Sequence, residues 1–336
     1  MEKNGDRAQP KPKPKPKESR KAVMERLRSD GGLLRFEPPV HRGDPDFVLA
    51  AIRGSVDGFR FASNRLRSDA SFVTKAIRVD GGSIGYASSA LKNDAHLVAM
   101  ALKSEGLMLR VVPSRFRSDP HMVKISLEST KGRSLRYASR VLQDDERLVR
   151  KAVLLDGRNL EYASARIADD KDIVMLAVRK TGAALECASR RLRSDPEVVR
   201  AALRKDGMAL KYAVQALRND ISIVVIAIRQ EPMSLRLAGF VVRDNQDVVE
   251  AAVRMRPDAL SAASKRLRQS PDILWAILRS SEKGLPLRSV PQPLRKALSK
   301  MSPEGQVAYL ASCRERAELS LELAANHIGQ QKDKRM

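Results

Sequence analysis

A 25-residue period runs through most of the chain and constrains its architecture more than any other feature. One aromatic or apolar slot recurs at Phe61, Tyr86, Val111, Tyr137, Tyr162, Cys187, Tyr212, Leu237 and Ala262, spaced by 25 residues except for one step of 26. A valine column keeps the same register at Val48, Val73, Val98, Val123, Val149, Val174, Val199, Val224 and Val249. A branched-aliphatic column follows four positions later, from Ile52 to Val253, and another runs from Leu66 to Leu267. The extra residue falls between Leu127 and Leu135, in an expected turn at Gly132. Such a period is the signature of stacked repeats, each too small to bury its own apolar face.

Within a unit the periodicity is helical. Phe72, Val73, Ala76 and Ile77 stand at i, i+1, i+4, i+5, and Ile84, Ala87 and Leu91 at i, i+3, i+7, so each unit reads as two short helices. Asp69, Asp94, Asp119, Asp145, Asp170, Asp195 and Asp220 stand where the first helix begins, with Pro120 and Pro196 at first helical positions. Gly82, Gly106, Gly132, Gly157, Gly182 and Gly207 are expected to end it. Helices of about ten residues are marginal alone, and the alanine column Ala51, Ala76, Ala101, Ala152, Ala177, Ala202, Ala227 and Ala252 lets successive helices approach closely.

The expected fold is an all-α solenoid of about ten tandem 25-residue helix-turn-helix repeats with a C-terminal helical cap. Residues 1–20, with Lys-Pro alternation, form an extended, disordered basic arm. Residues 21–44 form a degenerate N-terminal repeat whose second helix is broken by Pro38-Pro39. Nine repeats occupy 45–270 and a degenerate repeat 271–290. A helical cap opening at Ser302-Pro303-Glu304 fills 291–328, and 329–336 is a basic tail.

The segment Asp195 to Asp220, DPEVVRAALRKDGMALKYAVQALRND, and the segment before it follow a D-x-x-V-V-x-A-A-[VLI]-x-x-x-G-x-x-L-x-Y-A-S-x-x-L-x-x-D pattern. This resembles the repeat family called domain of unknown function 4116, over roughly residues 45–270. Val111-Val112-Pro113 and Leu237-Ala238-Gly239 depart from its Tyr-Ala-Ser. The resemblance implies a stack of short two-helix repeats and nothing about activity. The strand signature of leucine-rich repeats is missing.

No catalytic constellation stands out. His96 and His121 occupy equivalent places in adjacent units, but no cysteine or carboxylate cluster completes a metal shell. Asp144-Asp145 and Asp169-Asp170 are explained by helix capping, and Gly81-Gly82-Ser83-Ile84-Gly85 lacks the strand and lysine of a phosphate loop. Cys187 fills an aromatic slot, expected in the core with the tyrosines, and Trp275 lies in an apolar stretch. No cofactor and no enzymatic activity are expected; the units from Pro120 to Asp170 are where a non-repeating pocket would lie.

The periodic feature bearing on function is basic. One ladder runs Arg28, Arg53, Arg78, Lys103, Arg179, Arg204, Arg229, Arg254, Arg279. A second runs Arg42, Arg67, Lys92, Arg117, Arg193, Arg218, Arg243, Arg268. Both fail in the same two units, at Glu128 and Leu154 and at Gln143 and Ala168. A cation near a helix C-terminus complements the macrodipole, and acids lie close in sequence to both ladders, so a purely structural role competes with binding. The formal net charge is nevertheless +23, of which +14 falls on residues 22–287.

The expected function is therefore a non-enzymatic scaffold binding an acidic protein or peptide. The alternative is a nucleic-acid binder that tracks RNA or DNA phosphates through the ladders. Two cysteines, no signal-peptide core and no apolar run long enough to span a bilayer suggest a soluble, intracellular, by default cytoplasmic protein without integral membrane association. Export by a non-classical route, the oligomeric state and the partner are not encoded in any motif.

Overall fold

The structure, a computed structural model, describes residues 18–280, 285–292 and 294–316. Most of the expected N-terminal arm, the basic tail at 329–336 and the end of the expected cap, with His327, lie outside the described residues. Among the described residues there is no strand, and ten-residue α-helices recur eleven times. The chain divides after Thr130 into two compact units.

In the first unit the ten-residue helices are Arg20–Ser29, Pro45–Gly54, Ala70–Val79, Ala95–Ser104 and Pro120–Ser129, each in contact with the next. In the second they are Glu146–Leu155, Lys171–Lys180, Pro196–Lys205, Ile221–Gln230, Gln246–Met255 and Pro271–Ser280, stacked the same way. The capping aspartates act as the sequence predicts: Asp69 Oδ1 accepts from the backbone N–H of Ser71 and Phe72, and Asp170 from Asp172 and Ile173. The valine column is fully buried from Val48 to Val249, and so is the alanine column.

The second half of each repeat differs from the expected single helix. It consists of a 3-10 helix, such as Gly81–Tyr86, then a two-residue link, Ala-Ser in most repeats, then a one-turn helix, such as Ser89–Lys92, or a 3-10 turn, such as Leu192–Ser194. Three residues per turn leave a different stripe inward than 3.6 would. Leu34, Phe59, Ile84, Leu109, Leu135, Leu160, Leu185, Leu210, Leu235 and Leu260 form a buried column, with Ile84 inward as its place on the apolar stripe implies. The aromatic slot two positions later is turned outward. Tyr86, Tyr137, Tyr162, Cys187 and Tyr212 are partly exposed, not core, and Phe36 is 67% exposed.

Two further expectations are corrected. The glycines do not end the ten-residue helices; an extended residue such as Asp206 does, and Gly207 opens the 3-10 helix. Gly182 shows why glycine is needed there, since a Cβ would come within 2.6 Å of the Ala202 carbonyl oxygen of the next repeat. Pro38-Pro39 does not break the first unit either: Pro39 opens the one-turn helix Pro39–Arg42, where its missing N–H costs nothing. The inserted residue lies in a turn at Lys131 (φ 53°) and Gly132 (φ 90°). Buried Asn159 secures this turn by donating from Nδ2 to the carbonyls of Lys131 and Ala152, both at 2.8 Å. Near the C-terminus a helix starts at Pro303, as the sequence predicts, and Arg314 ties it to Asp272 at 2.8 Å.

Candidate functional site

The first basic ladder occupies the last turn of the ten-residue helices. In the first unit it holds Arg28, Arg53, Arg78 and Lys103, in the second Arg179, Arg204, Arg229, Arg254 and Arg279, and every rung is exposed. Among the described residues only Arg254 of this ladder has an acid partner, Glu250. Neighbouring rungs share clefts. Arg179 and Arg204 line one of about 280 Å³, and Arg254 and Arg279 line another of about 450 Å³ with Trp275 and Arg314.

Most of the acids near this ladder in sequence are otherwise engaged, Glu105 being the exception with no capping hydrogen bond. Asp80, Asp156 and Asp206 each accept from the backbone N–H two residues on, at 2.7, 3.0 and 2.9 Å. Glu231 accepts from Met233 N–H at 3.3 Å and pairs with Arg256 at 3.1 Å. At the N-termini of the ten-residue helices, Asp94 and Asp119 likewise spend Oδ1 on backbone amides. None of these pairs with a rung.

The second ladder is built differently. Its rungs Arg42, Arg67, Lys92, Arg117, Arg193, Arg218, Arg243 and Arg268 close the one-turn helices or their equivalents, and all are half-buried. The Nε of each of the seven arginines is withdrawn from water without a hydrogen-bond partner. The rung backbones stitch repeats together: the Arg67 carbonyl accepts from Ser88 N–H at 2.8 Å, Arg218 from Gly239 at 2.8 Å and Arg243 from Ser264 at 2.9 Å. The two ladders are thus not equivalent. The first is a free cationic edge, whereas the second lays its side chains along the repeat surface.

A third arginine column escaped the sequence reading. Arg65, Arg115, Arg166, Arg191 and Arg266 each donate from Nη2 to a backbone carbonyl 22 residues earlier, on Gly43, Asn93, Asp144, Asp169 and Asp244. In the last three the arginine Nε also meets the aspartate side chain, which accepts from Ser164, Ser189 or Ser264 as well. The serine hydroxyl and then the arginine hold these three carboxyls below the usual carboxylate range. In the Asp144-Asp145 and Asp169-Asp170 pairs the second residue caps and the first clamps. A recurring Ser-x-Arg after the aromatic slot was the available signal.

Cations also lie over the outward aromatic column. Arg60 is 4.8 Å from the Phe61 ring centre, Arg136 5.2 Å from Tyr137 and 5.8 Å from Tyr162, and Lys211 4.5 Å from Tyr212. His96 and His121 lie exposed on first turns. Among the described residues no three His, Cys, Asp or Glu side chains gather as metal ligands would, and no helix is long and apolar enough to cross a membrane. Cys187 and Cys313 are free thiols, and burial, with Glu161 and Glu186 nearby, pushes the Cys187 thiol up to about 11.

These features define an all-α tandem-repeat protein with cationic columns along its repeats. The family described as domain of unknown function (DUF4116) matches residues 57–92, 145–193, 170–214 and 195–240. Over those stretches the chain is similar to the repeats of that family. No curated protein and no solved structure matches the chain.

Proposed function

We propose that this protein is a non-enzymatic interaction scaffold whose exposed arginine edge binds an acidic protein or peptide. The observation that carries this is the set of first-ladder rungs: eight of the nine have no acid partner among the described residues, while the neighbouring Asp80, Asp156 and Asp206 are spent on backbone amides. Helix-end complementarity accounts for one cation per helix C-terminus. It gives no account of why eight of the nine rungs stand without an ion pair, whereas an edge kept for an anionic partner does. The free thiols Cys187 and Cys313 suit a reducing, intracellular setting for this role.

The test is fluorescence anisotropy of a labelled Asp/Glu-rich peptide, a single-stranded RNA and a duplex DNA against nuclease-treated protein at rising salt. The scaffold reading expects salt-sensitive peptide binding that is lost in the triple variant Arg179→Glu, Arg204→Glu, Arg229→Glu. Peptide binding that is absent, or indifferent to the triple variant, overturns it.

A second reading, a nucleic-acid binder, is favoured by the outward aromatic column, because Tyr137, Tyr162 and Tyr212 offer partly exposed rings beside cations. It expects the RNA or DNA probe to bind more tightly than the peptide, with a steep loss on adding salt.

A further inference from the structure

Ala168 stands in the second ladder where most repeats carry an arginine. In the same compact unit the equivalent places hold Gln143, Arg193, Arg218, Arg243 and Arg268. Gln143 reports what such a side chain covers. Its Nε2 donates to the carbonyls of Leu135 and Arg136, at 3.2 and 3.3 Å, eight and seven residues earlier at the end of the 3-10 helix. The arginine rungs lie similarly close to the surface, with Nε excluded from water. At Ala168 a methyl group replaces that side chain, and a cleft of about 550 Å³ opens. The residues eight and seven positions before Ala168, Leu160 and Glu161, line it.

We propose that this cleft binds a guanidinium group, the side chain of an arginine presented by a partner peptide. The protein's own repeats supply the shape argument: the same backbone elsewhere accommodates an arginine stem. The chemistry agrees with the shape. Glu161 and Glu186 line the cleft, Tyr212 offers a ring face for a planar cation, and the Glu161 backbone lies where its equivalent, Arg136, accepts an amide N–H. The opposing charges are Arg158 in the lining and Lys211 over the Tyr212 ring. The two glutamates balance them, so the site is locally near neutral on a chain of net charge +23. The Cys187 thiol in the lining stays protonated at neutral pH and adds no charge.

A planar fork of five donors, which can meet a carboxylate side-on and lie flat against an aromatic ring, fits this lining better than a compact, strongly hydrated ammonium. The proposal takes from the scaffold reading only the source of the arginine. The charge-reversal variants of the first ladder leave this cleft intact, so the two ideas fail separately.

The test titrates the full chain, followed by NMR or calorimetry, with N-acetyl-arginine methylamide, an Ala-Arg-Ala tripeptide, free arginine, and the lysine and citrulline counterparts of the methylamide. Saturable binding of the blocked arginine and the tripeptide is expected, with lysine and citrulline weaker by about fivefold or more. Ala168→Arg should abolish binding by filling the cleft, with Ala168→Gln, patterned on Gln143, doing the same should the arginine variant fold poorly. Glu161→Gln and Glu186→Gln should each weaken binding about two- to fivefold. Absence of saturation, equal binding of lysine or citrulline, or undiminished binding by folded Ala168 variants overturns the proposal. Free arginine binding more tightly than the tripeptide overturns the peptide as its source.

Discussion

Arg191 reaches back 22 residues to Asp169, its Nε donating to the two carboxylate oxygens at 3.0 and 3.2 Å and its Nη2 to the backbone carbonyl at 2.6 Å. Ser189 donates to the same carboxylate. Equivalent clamps join Arg166 to Asp144 and Arg266 to Asp244, so one device recurs between consecutive repeats of the second unit. Each clamp ties the end of one short helix to the start of the next, where isolated helices of this length are weakest.

Because these carboxyls titrate below their ordinary value, each clamp contributes stability that is present above about pH 4, the unfolded carboxyl value, and lost as pH falls through the lower folded value. The triple variant Asp144→Asn, Asp169→Asn, Asp244→Asn is expected to melt at a lower temperature at pH 7 and to show a shallower acid loss of stability. Circular-dichroism melts across pH 2 to 7 read both effects. The groups are solvent-facing, so added salt should narrow the difference between variant and parent.

Gly182→Ala should destabilise the protein by about 1–3 kcal/mol, because its Cβ meets backbone, which cannot rotate away as a side-chain tip can. Gly85→Ala is the control: the nearest atom to its Cβ is Val111 Cγ2 at 3.9 Å, an ordinary contact, and the change is expected to stay within about 0.5 kcal/mol of the parent. Urea unfolding of both variants separates a contact effect from a loss of glycine as such.

The ten-residue helices were legible because their 3.6-residue period lasts long enough to sort residues by face, and the columns Val48 to Val249 and Ile52 to Val253 are buried as read. The second half of the repeat was not. Ile84 and Tyr86 belong to a six-residue 3-10 helix, too short for its period to declare itself: Ile84 is buried as its place on the apolar stripe implies, whereas Tyr86, expected in the core, is turned outward. Both ladders were visible as columns of charge. That Arg204 stands free while Arg193 lies down with a buried Nε depends on which element each closes, and no spacing encodes that.

The half-buried ladder should act through its hydrocarbon stem. Arg218→Met keeps the stem, removes an Nε that is buried without a partner, and is expected to change stability by less than about 0.5 kcal/mol in either direction. Arg218→Ala removes the stem as well and should cost about 1 kcal/mol. If chemical denaturation finds methionine as costly as alanine, the guanidinium itself is what the site needs.

Cys187 supplies the most direct probe of the cleft over Ala168. Its thiol is pushed up to about 11, first by burial and then by Glu161 and Glu186. The thiolate is the reactive form, so iodoacetamide should modify Cys187 slowly at pH 7 to 8, and the rate should climb through pH 9 to 10 without levelling. Peptide mapping of alkylated protein assigns the rate to Cys187 and not to Cys313. Glu161→Gln, Glu186→Gln together remove two of the three causes that raise it and should move the rate profile to lower pH, leaving burial and the opposing Arg158 in place. A profile that levels near pH 8.5 in the parent would mean that the thiol feels neither burial nor the two carboxylates, and that the glutamates lie too far from the cleft to meet a cation there.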